Sequence, residues 1–120
     1  MEKSRFEIIS DLFKLSNVIS ESLKLAESLA GKSSGSGETD CKDICRNIRY
    51  SLKPLPFLLA GIREYVTEHE DKDLARKFVG LHDDTKRLHG ICSKYADLNK
   101  AAFRTGVAYL SMEVIRQYFF

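Results

Sequence analysis

The sequence predicts an all-α fold, an up-down antiparallel four-helix bundle, and three observations carry that expectation. Apolar residues recur every three or four positions through four long stretches, a spacing that gathers them on one face of a helix. No segment alternates with the two-residue period of a strand, and no internal repeat is present. The connections, of about nine, six and two to five residues, are short enough to join antiparallel neighbours.

The first helix is expected over about residues 5–30, with Phe6, Ile9, Leu12, Phe13, Val18, Ile19, Leu23, Ala26 and Leu29 at helical spacing. Ile8, Leu15 and Leu25 widen that face. Ser4, followed three residues later by Glu7, has the spacing of a capping box. Gly31 stands where a left-handed residue would close the last turn. Residues 31–39, GKSSGSGET, contain no apolar side chain and read as a flexible linker, either natural or an engineered replacement for a longer loop.

The second helix, expected over about 40–67 with Thr39 or Asp40 as its cap, organises the rest. Cys41, Ile44, Cys45, Ile48, Leu52, Leu55, Leu59, Ile62 and Val66 form one stripe along it. Pro54 and Pro56 interrupt the backbone bonding, since each lacks an N–H and crowds the carbonyl four residues before it. The stripe stays in phase across both, so the reading is one helix kinked at Pro54/Pro56. Leu74, Phe78, Leu81, Leu88, Cys92 and Tyr95 mark the third helix, about 71–94, with Gly80 and Gly90 as weak points. The fourth, about 97–118, is expected to turn Leu98, Ala102, Thr105, Tyr109 and Met112 inward and to carry Phe103, Val107, Leu110 and Val114 on an adjoining face. It runs into an uncapped Tyr118-Phe119-Phe120, which suggests a domain cut from a longer chain.

At 120 residues, 43 % hydrophobic and 30 % charged, the chain has the size and composition of one globular domain. A net charge of +2, with both signs interspersed, lacks the electrostatic footprint of a nucleic-acid binder. The apolar runs are too short for a signal peptide or a membrane span. An odd number of cysteines, three, fits a cytosolic protein better than a secreted one.

Chemistry-bearing constellations are sparse. His82, His89 and Cys92 suggest a zinc site but lack a fourth ligand, and Cys92 beside a histidine is too generic a pairing for a nucleophile. The expectation is therefore a non-enzymatic domain with no cofactor and no metal. Lys42, Arg46, Arg49 and Lys53 recur at helical spacing and form a basic edge suited to an acidic partner or to lipid headgroups. Phe57, Tyr65, Phe103 and Tyr118 lie off the main stripes, where exposed aromatics mark an interaction surface.

Cys45, Asn47, Ile48, Leu52, Lys53, Leu55, Ile62, Arg63 and Glu64, followed by Lys86, Leu88, Cys92 and Ser93, resemble the sequence signatures of the plant U-box N-terminal domain. That helical module precedes the U-box in plant ubiquitin ligases with armadillo repeats. The resemblance implies a regulatory, protein-binding domain in immune or signalling pathways, with a receptor-like kinase or a vesicle-tethering subunit as partner. Any ubiquitin transfer would belong to a U-box outside this sequence. The spacing of Cys41, Lys42, Cys45 and Arg46, with Lys53, Pro54 and Leu55 after it, is also similar to the four-helix killer domain of mixed-lineage kinase-like pseudokinases and the wider HeLo group. This second resemblance implies an oligomerising bundle that acts on anionic membranes, peripheral to the cytoplasmic face. A cytoskeletal adaptor is a third reading and rests on the bundle alone.

Overall fold

The computed structural model describes residues 3–32 and 38–120, and these residues are helical with no strand among them. The helices are α1 (Arg5–Ala30), α2 (Glu38–Ser51), α3 (Leu55–His69), α4 (Lys72–Val79), α5 (His82–Cys92) and α6 (Asn99–Phe119), with a single 3-10 turn at Ala96–Leu98 before α6. Four helical units pack together: α1, the α2 and α3 pair, the α4 and α5 pair, and α6. α1 touches α2, α3 and α5, while α6 touches α3, α4 and α5, so each long helix bridges both broken ones.

Local chemistry explains most of the boundaries. α1 starts where the Ser4 hydroxyl accepts the Glu7 N–H at 3.2 Å, which satisfies one of the donors a helix start leaves open. Its end differs from expectation: Gly31 is right-handed (φ −79°, ψ −9°), and its N–H and that of Lys32 bond back to Glu27 and Leu29 in a tightened last turn. α2 begins at Glu38, so Asp40 lies inside the first turn instead of capping it. Most of the linker expected over 31–39, namely 33–37, lies outside the described residues.

Two helices stand where one is expected over 40–67. α2 stops at Ser51 and α3 starts at Leu55, with Lys53 N–H on the Tyr50 carbonyl and Leu55 N–H on Leu52 closing a short turn between them. Pro54 and Pro56 bring no N–H to this junction, so Pro54 becomes the N-cap of α3, where the missing donor costs nothing. The expected third helix is likewise divided, at Gly80 and Leu81, where the Gly80 N–H bonds to Arg76 and the Leu81 N–H to Phe78. Between α3 and α4 the corner is made by Glu70 in the left-handed region (φ 48°), and Asp71 then caps α4 by accepting the Leu74 N–H.

The core is the stripe of α2 and α3 enclosed by the other units. Cys45, Ile48, Leu52, Leu55, Leu59, Ile62 and Val66 are all buried, so the apolar phase runs unbroken through the junction. α4 and α5 add Leu74, Phe78, Leu88 and Cys92. In α1 the buried face is Ile8, Leu12, Leu15, Ile19, Ser22, Ala26 and Leu29, with Asp11 buried beside it and paired with Lys3, which leaves Phe6 and Phe13 exposed where sequence spacing had included them. Buried Ser22 lies on the face of α1 that meets α2, and its hydroxyl hydrogen-bonds that of Ser51 at 2.8 Å.

A candidate interaction surface on α3 and α6

α6 is apolar on two sides. Its inner face is small: Ala101, Thr105, Gly106, Ala108, Ser111, Met112 and Ile115 are buried against the other helices. Thr105 and Ser111 satisfy their hydroxyls on carbonyls four residues earlier, so neither leaves an unpaired polar group in the core. Of the residues expected inward, Ala102 and Tyr109 are only half-buried, because the face that packs is rotated toward Ala101 and Ala108.

The outer face carries the larger side chains. Phe103, Val107, Leu110, Val114 and Tyr118 follow one another at steps of four, three, four and four, and between 38 % and 73 % of each is exposed. The row spans about 22 Å at 1.5 Å per residue. Exposed apolar residues scattered singly are ordinary, whereas a contiguous row along one helix is a candidate interaction surface.

At its N-terminal end the row borders a groove between α3 and α6 of about 600 Å³. Pro56, Leu59 and Ala60 form one wall and Phe103 and Val107 the other, while Arg63, Asn99, Lys100 and Arg104 supply the polar rim. Arg63 donates to the Ser111 hydroxyl at 3.1 Å. A smaller depression of about 260 Å³ shares Lys100 and Arg104 with the groove and adds Arg49 and Lys53 from the α2–α3 junction. Among the described residues none of these five cations pairs with a carboxylate. Arg49 donates to the Asp97 carbonyl at 3.0 Å, and the Lys53 ammonium stands over the Tyr50 ring, 5.3 Å from its centroid.

The eight residues singled out from the sequence are thus divided. Arg49, Lys53 and Phe103 fall at the groove or the depression continuous with it. Lys42 is exposed higher on α2, and Arg46 is taken up by Asp43 at 2.8 Å. Phe57 is the most exposed of the aromatics but does not line the groove. Tyr118 ends the outer row with its ring edge-on to Phe119, centroids 4.8 Å apart. Tyr65 is half-buried, packs against the core and lies against the His69 ring, centroids 4.1 Å apart, and does not line the groove. Sequence reasoning missed Arg63, Lys100 and Arg104, although Lys100 and Arg104 are one helical turn apart and bracket Phe103.

His82, His89 and Cys92 do not converge. Both ring nitrogens of buried His82 face carboxylates, Asp83 at 3.0 Å and Glu113 at 2.9 Å, and this bond holds the Asp83 carboxyl below its usual range. His89 donates from Nδ1 to the Ala102 carbonyl at 2.7 Å. Burial pushes the Cys92 thiol up to about 11, so it stays protonated at neutral pH and is a poor nucleophile. Among the described residues no group of three acidic, histidine or cysteine side chains is placed to hold a metal, and no described helix is long and apolar enough to cross a membrane. No family model, no curated protein and no solved structure matches this chain.

Proposed function

We propose that this domain is a non-catalytic protein-interaction and regulatory module that engages its partner through the outer face of α6. The observation that carries the reading is the continuous exposed row from Phe103 to Tyr118, larger and more apolar than the face the same helix buries. The resemblance to the N-terminal domain of plant U-box ubiquitin ligases supports a cytoplasmic, immune or signalling setting, with a receptor-like kinase or a vesicle-tethering subunit as partner class. On this reading the bundle is up-down and antiparallel, with α2 and α3 acting as one helix bent at Pro54 and Pro56. The short turns at 52–54 and 80–81 and the unbroken buried stripe support that arrangement.

A membrane-associating, oligomerising HeLo-type bundle is the second reading. It is favoured by one observation, the gathering of Arg49, Lys53, Lys100 and Arg104 without a carboxylate among them.

One experiment separates the two. The purified domain is tested for binding to cytosolic domains of receptor-like kinases and to vesicle-tethering subunits, and in parallel to vesicles containing phosphatidylserine. Protein binding that is lost in the Phe103→Ala/Leu110→Ala/Val114→Ala variant, with little vesicle association, is the expected result. Tight, salt-sensitive vesicle binding that disappears when Lys42, Arg46, Arg49 and Lys53 are neutralised would replace it with the membrane reading.

A further inference from the structure

Resting on the interaction reading, we infer that the groove between α3 and α6 is the docking site for an acidic amphipathic helix of a partner protein. The apolar part of the argument is shape: Pro56, Leu59 and Ala60 face Phe103 and Val107 across a trough of about 600 Å³, open to solvent; its α6 wall runs from Asn99 to Val107, about 12 Å at 1.5 Å per residue, or two turns of a helix. The row that continues through Leu110 and Val114 extends the same face, so a helix of about 15 residues matches the length available.

Charge decides which helix. Every ionisable side chain that lines the groove or the depression joined to it is a cation: Arg63, Lys100 and Arg104 at the groove, Arg49 and Lys53 beyond. None of the five pairs with a carboxylate among the described residues, although elsewhere Lys3, Arg5, Arg46 and Arg76 all do. In a chain whose net charge is only +2, that segregation is local. An occupant with leucine or phenylalanine at helical spacing and glutamate or aspartate on its flank would fill the trough and meet the guanidinium and ammonium groups. A basic helix would be repelled, and a second copy of this chain would bring the same cations against themselves.

The test uses a fluorescent peptide of about 15 residues with leucine and phenylalanine at i, i+3, i+4 and i+7 and glutamate flanking them, and a twin in which lysine replaces every glutamate. Binding is followed by anisotropy and mapped by amide shifts. The expected result is saturable binding of the glutamate peptide only, with shifts centred on Ala60, Phe103 and Val107. Affinity should fall about tenfold or more between about 50 and about 300 mM salt. Phe103→Ala and the pair Lys100→Glu/Arg104→Glu should each weaken it about tenfold or more. Lys100→Gln/Arg104→Gln serves as the second variant should charge reversal disturb folding, checked by circular dichroism.

Equal binding of both peptides, shifts on another face, or no binding at all would overturn the inference. So would association with vesicles of phosphatidylcholine and about one third phosphatidylserine in place of peptide binding, which would make the cations a lipid-facing patch. Concentration-dependent dimerisation abolished by Phe103→Ala would also overturn it, in favour of a second copy. A protein partner that still binds the Lys100→Glu/Arg104→Glu variant unchanged would leave the interaction reading standing and remove the groove from it.

Discussion

The two faces of α6 are built on opposite plans. The inner face uses Ala101, Thr105, Gly106 and Ala108, small residues that let neighbouring helices approach, with Met112 and Ile115 filling the far end. The outer face places Phe103, Val107, Leu110 and Val114 where solvent reaches them. A helix that buried whatever was most hydrophobic would have been turned the other way. The difference is consistent with close packing of small residues setting the orientation of α6, with its aromatic and branched apolar groups on the solvent side.

The comparison breaks most visibly at Met112, which is fully buried. Met112→Ala should cost about 2 to 5 kcal/mol in urea unfolding, the usual price of deleting a core side chain and leaving a cavity. Phe103→Ala, which removes a larger side chain from the outer face, should change stability by less than about 0.5 kcal/mol. Equal losses at the two positions would mean that the faces have been assigned the wrong way round.

A smaller effect is expected at Gly106. A Cβ there would stand 3.1 Å from Cε1 and 3.3 Å from Nδ1 of His89, whose ring is held in place by its bond to the Ala102 carbonyl. Gly106→Val should therefore lose about 1 to 3 kcal/mol despite the poor helix propensity of glycine. Thermal melts of the variant at Gly61, where a Cβ would meet nothing within 4 Å, give the control: Gly61→Ala should be neutral or stabilising.

The smallest effect belongs to the corner that joins α1 to α4, and it is lost in acid. Arg5 donates from Nε to Asp71 at 2.8 Å and holds that carboxyl below its usual 3.8. The folded state thus favours the carboxylate: the stabilisation is present above the unfolded value and is lost as pH falls through the lower, folded one. Asp71→Asn keeps an oxygen for the Leu74 N–H but removes the charge, so its stability should depend less on pH than the parent's below about pH 4. Parallel curves for the two proteins would show that the pair contributes nothing.

Much of this was legible in the sequence, and the exceptions share a cause. The stripe from Cys45 to Val66 is read correctly because its period admits one helical face only. In α1 and α6 two apolar stripes overlap, and periodicity cannot choose between them. The face that packs carries Ser22 bonded to Ser51 in α1 and Gly106 lying against His89 in α6, both contacts between residues far apart in the chain. The candidate surface was half legible for the same reason. Arg49 and Lys53 belong to a visible basic edge, but their meeting with Lys100 and Arg104 is made by packing at the α2–α3 junction. Division of the two middle units was signalled by Pro54, Pro56 and Gly80, whose missing donors and side chain end helices locally, whereas the left-handed Glu70 had no signal at all.

Phe103 has a further consequence, an optical one. The chain contains no tryptophan, so an indole introduced at this solvent-facing position in the groove wall would emit without any competing fluorophore of its kind. Its emission colour would follow the polarity of the trough directly, blue when an apolar segment covers it and red when water does. The proposed docking surface is therefore also the one most easily made to report its own occupancy.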